Sequence, residues 1–292
     1  MNVPVLMNAR AGLAHPAGEL RLARTLARHQ LKAVIEEVPP ADLADRLREL
    51  TGRPLVGVAG GDGTHRTAAR ALAGSSTVLV PFPTGRLNHF ARRLGLDSVD
   101  RAAQAVKEGS VRGLPVGRAN DSVFVNTAVV GLYPRLIRVR ERLRPYLTTW
   151  PAAALAALHG FVTWPRVRLT IRSPGAARDC NTALIWVGVG TGSFPAPHEA
   201  PLPGHGDALE VVFLADRGRL DACTVLAASV RRRVRSSKPL QGSVTTQRLP
   251  WLKLDADEPV PMALDGEPKL VEPPVLLRFE PAALRVVTAR EW

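Results

Sequence analysis

The stretch Leu55-Val-Gly-Val-Ala-Gly-Gly-Asp-Gly-Thr64 decides the fold of the N-terminal part of the chain. Its first five residues form a short apolar run, which predicts a buried strand. Three glycines then fall within four positions and allow the backbone to turn tightly and to approach a ligand. Residues 64–73 have helical spacing, with Gly74 as the predicted C-cap. A strand, a glycine loop and a helix in this order predict one crossover unit of a parallel sheet.

Strand and helix signals alternate on both sides of this unit. The predicted strands are residues 3–7, 34–38 and 77–82, and the predicted helices are residues 19–30, 41–50 and 88–94. Strands separated by helices of about ten residues indicate a mostly parallel α/β domain. Ligands of such sheets bind beyond the carboxyl ends of the strands, where the glycine loops fall.

After about residue 115 the pattern changes to short β-rich runs. These runs are residues 123–130, 167–171, 182–189, 209–214, 241–249, 252–254, 261–264 and 275–279, and one helix is predicted at 135–144. Short strands with few helices predict a second domain built mainly from antiparallel strands. We therefore expect an α/β domain at residues 1–117 and a β domain at 118–292, with the C-terminal tail packing back on the first domain.

Composition and charge limit the classes of function. The chain has 292 residues, of which 46% are hydrophobic, so it can bury a substantial core and long-range disorder is excluded. Lysine and arginine number 39 against 26 acidic residues, and the net charge of +13 favours nucleotides, acidic lipid surfaces or nucleic acid as partners. Nucleic acid is the weakest of these, because aromatic residues make up only 5% and no recognition motif accompanies the charge.

The sequence also predicts a location. Cys180 and Cys223 are too few for a disulfide scaffold, which favours a reducing, cytoplasmic setting. We find no secretory signal and no apolar stretch of about 18 residues or more, and the longest candidate, residues 151–164, is too short to span a bilayer.

Three loops have sequences that suit chemistry. In Gly60-Gly-Asp-Gly-Thr64, glycine backbone and a helix N-terminus favour a phosphate, and Asp62 suits the divalent cation that accompanies phosphates. The alternative is a tight turn in which Asp62 or Thr64 caps the helix. Pro83-Thr-Gly-Arg-Leu-Asn88 also joins a strand to a helix, either as a second phosphate-facing edge or as an ordinary connection. Leu264-Asp-Gly-Glu-Pro268 predicts either a hairpin turn or a carboxylate pair for proton transfer.

In this order and separation, the three loops resemble the catalytic domain of the diacylglycerol kinase family. That family includes bacterial soluble lipid kinases, with sphingosine and ceramide kinases as relatives and NAD kinases more distant. Phe124-Val-Asn-Thr-Ala-Val-Val-Gly-Leu-Tyr-Pro134 and Pro281-Ala-Ala-Leu-Arg-Val-Val287 resemble the family as well, so the similarity spans essentially the whole chain. The resemblance implies a nucleotide-binding α/β domain followed by a β-sandwich domain, with the active site in the cleft between them.

The resemblance implies an ATP- and Mg²⁺-dependent lipid kinase and assigns its site residues. Asp62 would organise Mg²⁺ through water, Asp265 would be the general base for the lipid hydroxyl, and Glu267 would support the metal or the base. The residues assigned to nucleotide binding are Asn8, Gly60, Gly61, Asp62, Gly63, Thr64, Gly85, Arg86 and Asn88.

The chain departs from the family pattern at four places. The first loop reads Asn8-Ala-Arg-Ala-Gly12 where the family usually has Asn-Pro, and His65-Arg66-Thr67 replaces a Leu-Asn-Glu-like triplet. Arg86 stands at a position that is usually Thr or Ser, either as a forked phosphate clamp or as a sign of drifted activity. Leu202-Pro-Gly-His-Gly-Asp207 departs from a segment at which some bacterial members bind a structural metal.

A basic amphipathic helix is the predicted membrane contact. Its apolar positions are Leu132, Leu136, Val139, Leu143 and Leu147, and its arginines are Arg135, Arg138, Arg140, Arg142 and Arg144. Such a helix suits an anionic membrane surface, so a lipid substrate and peripheral membrane association are expected, whereas the alternative is a packed helix with solvated arginines. A second basic run at residues 231–238 fits a solvated helix end.

Two other functions stay open. One is a kinase for a soluble hydroxyl, like the NAD kinases, and the other is a catalytically drifted nucleotide- or lipid-binding homologue. The sequence also leaves a homodimer open as the oligomeric state.

Overall fold

The computed structural model describes residues 2–10, 16–143, 146, 148, 151, 155, 167–182, 184–189, 207–214 and 244–289. Within it, the chain divides into two compact units. Unit 1 comprises Met1–Val116 and Glu280–Trp292, and unit 2 comprises Gly117–Phe279. The C-terminal residues therefore belong to the same unit as the N-terminal ones.

Unit 1 is an α/β unit in which strands and helices alternate. Its elements are β1 (Asn2–Asn8), α1 (Pro16–Arg28), β2 (Lys32–Val38), α2 (Leu43–Glu49), β3 (Leu55–Gly60), α3 (Asp62–Leu72), β4 (Val78–Pro83), α4 (His89–Arg93) and α5 (Val99–Glu108). The strands lie in the order β2-β1-β3-β4, and each of these neighbours pairs in parallel. The predicted parallel α/β arrangement is confirmed for this unit.

The bounds of the predicted helices differ from the observed ones by one to three residues, and one helix was not predicted. Helix α3 begins at Asp62, two residues earlier than predicted, and its C-cap is Ala73, with Gly74 following at φ +83°. Helix α5 was missing from the prediction, although Ser98 precedes it and its side chain accepts a hydrogen bond from the Arg101 amide at 3.2 Å. A serine in this position is a standard helix-start signal.

Two long strands run through both units, β5 (Val111–Ala119) and the last strand, β16 (Val275–Val287). The remaining strands of unit 2 are β6 (Ser122–Phe124), β7 (Thr127–Gly131), β8 (Val167–Ser173), β9 (Ala176–Thr182), β10 (Leu184–Val189), β11 (Leu209–Leu214), β12 (Val244–Leu249), β13 (Trp251–Asp255), β14 (Val260–Leu264) and β15 (Glu267–Val271). Within the described part of unit 2, the paired strands are antiparallel, as predicted.

The strands of unit 2 lie in two sheets that share one hydrophobic core. One sheet has the order β12-β11-β10-β7-β14-β15, and the other includes β16-β13-β8-β9. Alternating side chains of both sheets are buried in the same cluster, among them Ile171, Val187, Val211, Leu254, Met262 and Leu277. Burial on one face of each strand is what a period of two along the chain produces.

The predicted basic helix is present as α6 (Leu132–Leu143) and packs against β7, β14 and β15. Leu132 and Ile137 are buried, whereas Leu136, Val139 and Leu143 are half-buried. Arg135 and Arg142 are exposed. Part of the predicted apolar stripe thus packs on the sheet. Contact with a membrane stays a prediction.

Some sequence predictions lie outside the described residues. These are the predictions for Arg144 and Leu147, most of residues 151–164, residues 202–206, the basic run at 231–238 and Cys223. No helix in the described part of the chain is long and apolar enough to cross a bilayer.

Candidate active site

The predicted nucleotide-binding residues lie in three loops, which follow β1, β3 and β4. These are the loop that begins at Asn8, the loop Gly60–Thr64 and the loop at residues 83–88. These strands are neighbours in the parallel sheet, so their carboxyl ends share one edge. The Asn8 Nδ2 at the end of β1 donates to the Thr64 Oγ1 at 2.7 Å. The Thr84 amide after β4 donates to the Gly60 carbonyl oxygen at 3.0 Å. Side-chain and backbone hydrogen bonds therefore join all three loops.

The two glycine loops touch backbone to backbone. A Cβ added at Gly85 would lie 2.5 Å from the Gly61 Cα and 3.1 Å from the Gly61 nitrogen. Real Cβ atoms do not approach backbone so closely, so residue 85 must lack a side chain if the loops are to keep this distance. The glycines of the two motifs are thus needed for loop packing as well as for access to a ligand.

Asp62 connects the Gly60–Thr64 loop to α4, the helix that follows the loop at residues 83–88. Its Oδ1 accepts a hydrogen bond from the Phe90 amide at 2.8 Å, and Phe90 is the second residue of α4. The N-cap of α3 is Gly61, without a side-chain cap, and the Thr64 hydroxyl accepts from Asn8. The alternative in which Asp62 or Thr64 caps its own helix is therefore wrong. Asp62 satisfies an amide of the neighbouring helix, where the helix dipole favours a carboxylate.

The second loop is closed by the Asn88 side chain. Asn88 has a left-handed backbone with φ +54°, its Oδ1 accepts from the Gly85 amide at 2.9 Å, and its Nδ2 donates to the Gly85 carbonyl oxygen at 2.9 Å. Asparagine tolerates this backbone region better than most residues. Arg86 and Leu87 lie between the two ends of this clamp and are exposed, Leu87 by 60%. The clamp therefore makes them the tip of a short, tied loop.

The N-terminus of α3 suits an anion. The first intrahelical bond in this region runs from the His65 amide to the Gly61 carbonyl oxygen at 3.0 Å. The amides of Asp62, Gly63 and Thr64 precede it and have no acceptor in the helix. Amides at a helix N-terminus, together with the helix dipole, are a common phosphate site.

Arg93 lies on α4, and its guanidinium interacts electrostatically with the Asp62 carboxylate. Burial lowers the pKa of the half-buried Arg93 guanidinium, and the nearby Asp62 carboxylate partly offsets this effect. The charge of Asp62 is thus not isolated, because a guanidinium from the neighbouring helix lies close enough to interact with it.

His65 lies buried beneath the first loop. The side chain has no exposed surface, its Nε2 is 3.2 Å from the Val58 carbonyl oxygen, and its ring centroid is 5.9 Å from that of Phe90. Burial lowers the pKa of His65 from 6.5 to about 4, against the opposing effects of the Val58 carbonyl and the Asp62 carboxylate. His65 is therefore neutral at physiological pH and acts as a packed core residue.

The acidic turn predicted at residues 264–268 is a β-hairpin of unit 2. Leu264 of β14 pairs with Glu267 of β15, and Asp265 and Gly266 form the turn with φ values of +50° and +86°. The hairpin reading of the Asp-Gly pair is correct, because an Asp-Gly turn supplies two residues with positive φ.

The carboxylate of Asp265 is buried and accepts three backbone hydrogen bonds. The amide of Val125 donates to Oδ2 at 3.0 Å, and the amides of Asn126 and Thr127 donate to Oδ1 at 2.8 and 3.0 Å. Asp265 is 5% exposed, whereas Glu267 is exposed. Asp265 therefore fixes the backbone of residues 125–127, at the start of β7.

A divalent metal at these loops would have one predicted carboxylate ligand, Asp62. No group of three or more His, Cys, Asp or Glu side chains that could hold a metal occurs in the described part of the chain. Magnesium commonly binds through one or two carboxylates together with substrate phosphates and water. The residues present fit a Mg²⁺ ion that arrives with a nucleotide.

Three parts of this arrangement were not predicted from the sequence. The Phe90 amide and the amides of residues 125–127 are backbone donors, and side-chain motifs do not reveal them. Arg93 had a weak signal, a basic residue in the last turn of a short predicted helix. The structure joins Asn8, the Gly60–Thr64 loop and the loop at residues 83–88 in unit 1, and it places Asp265 and Glu267 in unit 2.

Comparisons with known proteins show which proteins this chain resembles. The family model of the diacylglycerol kinase catalytic domain matches residues 2–119, which include both glycine loops. A solved structure described as a diacylglycerol kinase from Bacillus anthracis str. Sterne superposes with a TM-score of 0.69 at 16% identity, covering 99% of this chain and 97% of that one. That level of identity establishes a shared fold.

Curated relatives agree with the family model. A Pseudomonas fluorescens protein named "Probable lipid kinase YegS-like" is 28% identical over 232 residues, which cover 78% of this chain and 75% of the relative. The Bacillus subtilis diacylglycerol kinase is 32% identical over 120 residues, covering 40% of this chain and 39% of the relative. The N-terminal 40% of the chain thus matches the diacylglycerol kinase catalytic domain, and the curated relatives that the chain resembles are named as kinases.

Proposed function

We propose that the protein is an ATP-dependent lipid kinase that transfers the γ-phosphoryl group of ATP to the hydroxyl of diacylglycerol or a similar long-chain lipid alcohol. The observation that carries the proposal is the joined loop set at the carboxyl ends of β1, β3 and β4, with its close backbone approach at Gly61 and Gly85. The names of the relatives support a lipid as the acceptor.

In this proposal, unit 1 binds the nucleotide. The amides at the start of α3 would hold phosphate oxygens, and Gly60, Gly61, Gly63 and Gly85 leave the space that close backbone approach requires. Asn8 and Asn88 maintain the loop positions through hydrogen bonds to Thr64 and Gly85. Phosphoryl transfer is catalysed mainly by positioning of the reactants and by neutralisation of charge, and these loops would supply the positioning.

Asp62 would hold the magnesium ion that accompanies the nucleotide, directly or through water. When bound, magnesium neutralises phosphate charge. The Oδ1 of Asp62 accepts from the Phe90 amide, so the second oxygen would be the metal ligand. Asp62 thereby has two functions, one for the metal and one for the position of α4.

Unit 2 would bind the acceptor, with its two sheets forming a β-sandwich. The expectation from the resemblance makes Asp265 the general base and Glu267 its support. The hydrogen bonds instead favour Glu267 as the base, because a proton on Asp265 would weaken the three backbone hydrogen bonds that its carboxylate accepts. Glu267 is exposed two residues later on the same turn. We therefore assign proton acceptance to Glu267 and positioning to Asp265.

The proposed reaction balances as a direct transfer. The acceptor oxygen forms a bond to the γ-phosphorus while the bond from that phosphorus to the β,γ-bridging oxygen breaks and ADP leaves. The hydroxyl proton goes to the Glu267 carboxylate. A cytoplasmic protein that acts on such a lipid would work at a membrane surface, and the exposed arginines of α6 would favour an anionic one.

The test is transfer of radiolabelled phosphate from ATP to lipids in mixed micelles, with Asp62→Asn as the matched inactive control because asparagine keeps an acceptor for the Phe90 amide. We expect labelled phospholipid with diacylglycerol or a related alcohol, a requirement for Mg²⁺, and loss of label in the variant. Labelling of soluble hydroxyl acceptors independent of any lipid interface would instead favour an NAD-kinase-like activity. Tight ATP binding without transfer to any acceptor would indicate a drifted binding homologue.

A further inference from the structure

We propose that Arg86 binds the terminal phosphate of the nucleotide and makes the protein select nucleoside triphosphates over diphosphates. This inference rests on the proposed function, since it assumes that the paired glycine loops hold a nucleotide. At this position the family that the chain resembles usually has Thr or Ser, and the inference assigns to Arg86 the recognition of one part of the nucleotide, its terminal phosphate.

The first support is the position of Arg86 in a tied loop. Asn88 closes the loop by two hydrogen bonds to the Gly85 backbone, each 2.9 Å long. Gly85 in turn abuts the Gly61 backbone. Arg86 therefore follows directly after the point at which the two loops touch, and its backbone position is set relative to the N-terminus of α3.

The second support is the exposure of the Arg86 side chain. In the part of the chain that the structure describes, its side chain has no hydrogen-bond or ion-pair partner, and it is exposed. Other arginines near the loops differ. Arg66 and Arg93 both have interactions within the fold, and Arg93 is half-buried near Asp62. An exposed guanidinium without a partner among the described residues, next to the proposed phosphate loop, is suited to an anionic ligand.

The third support is chemical. A guanidinium presents a planar fork of donors that matches two phosphate oxygens, and it keeps its charge at any physiological pH. The helix N-terminus already offers amides for phosphate oxygens close to the loop backbone. A long side chain at the tip of the neighbouring loop suits the phosphate that lies farthest from the nucleoside, which only the triphosphate has.

The experiment compares ATP and ADP binding by calorimetry with Mg²⁺ present, in the wild-type protein and three variants. Arg86→Thr restores the usual family residue, Arg86→Lys keeps the charge without the fork, and Arg92→Thr is the control. Arg92 is exposed on α4 and likewise lacks a described side-chain partner, so its loss changes the net charge equally.

We expect Arg86→Thr to weaken ATP binding by about tenfold, the effect of losing one charge-assisted contact. Its ADP affinity should stay within about twofold, as should both affinities of Arg92→Thr, because an exposed charge without a direct ligand contact contributes little. Arg86→Lys should be intermediate for ATP. In the kinase assay, Arg86→Thr should raise the KM for ATP and leave the KM for the lipid unchanged.

Two results would overturn the inference while the proposed function stands. One is unchanged ATP affinity in Arg86→Thr, and the other is an equal loss for ATP and ADP, which would put Arg86 on a shared part of the nucleotide. If the wild-type protein binds neither nucleotide, the proposed function fails and this inference fails with it. Thermal unfolding of each variant checks that the exposed substitution leaves the fold intact.

Discussion

Replacing His65 should remove a specific acid sensitivity from the stability of unit 1. The imidazole is fully buried on α3, and burial lowers its pKa from 6.5 to about 4. Between these two values the unfolded chain binds a proton that the folded chain excludes. The free energy of unfolding is therefore highest above pH 6.5 and falls as the pH decreases toward 4.

The size of this effect follows from the two pKa values. Each pKa unit corresponds to about 1.4 kcal/mol, so His65 should lower the free energy of unfolding by about 2.5 kcal/mol between pH 7.5 and pH 4.5. Other groups titrate in this range as well, so the informative quantity is the difference between the wild-type protein and a His65→Leu variant. Leucine is apolar and cannot titrate.

Urea unfolding followed by circular dichroism at several pH values measures this difference. The expected result is a shallower pH dependence for His65→Leu than for the wild-type protein. Leu72→Ala is the matched control, because Leu72 is fully buried on the same helix and does not titrate. It should lower stability at every pH and keep the wild-type slope. Identical slopes for the wild-type protein and His65→Leu would refute the reasoning.

Three further predictions concern the loops and the acidic turn. Gly85→Ala should lower the free energy of unfolding by about 1–3 kcal/mol because its Cβ would meet the Gly61 backbone, and urea unfolding should show no such loss for Gly63→Ala, whose Cβ has its nearest neighbour at 4.0 Å. Asp62→Asn keeps an acceptor for the Phe90 amide, so it should retain stability but lose turnover, whereas Asp62→Ala should lose both; equal stability of the two variants in urea would contradict the role of this bond. Asp265→Asn should cost about 2–4 kcal/mol because one carboxamide oxygen cannot replace an acceptor of three amides, whereas Glu267→Gln should stay within about 0.5 kcal/mol of wild type while kcat falls; full turnover in Glu267→Gln would remove it as the proton acceptor.

The N-terminal half was predictable because local signals there agree with each other. Apolar runs followed by glycine loops and helical spacing led to the correct parallel α/β arrangement, and the bounds of β1, β3 and β4 were met to within one residue at most ends. Helix α5 was missed although Ser98 marks its start. Strands β9 and β15 were missed because they are mostly exposed and lack the apolar alternation on which the prediction relied.

The candidate site was predictable only in part, because several of its contacts involve backbone atoms. The motif glycines and Asp62 were identified from the sequence, but the prediction did not include the Phe90 amide as the partner of Asp62. Asp265 was identified as a candidate base, and the three amides that surround its carboxylate lie about 140 positions away in the chain. Every residue has an amide, so sequence patterns contain no sign of which amides a carboxylate will meet.

The sequence by itself determined the alternation of strands and helices in unit 1, the glycine loops and the similarity to a kinase family, because these depend on residue types at short spacing. Only the tertiary structure decided that Asn8 bonds to Thr64, that Gly61 and Gly85 touch, and that Asp62 caps the neighbouring helix. Strand order in a sheet brings distant segments side by side, and hydrogen bonds then form according to distance in space. Distance along the chain does not encode that proximity.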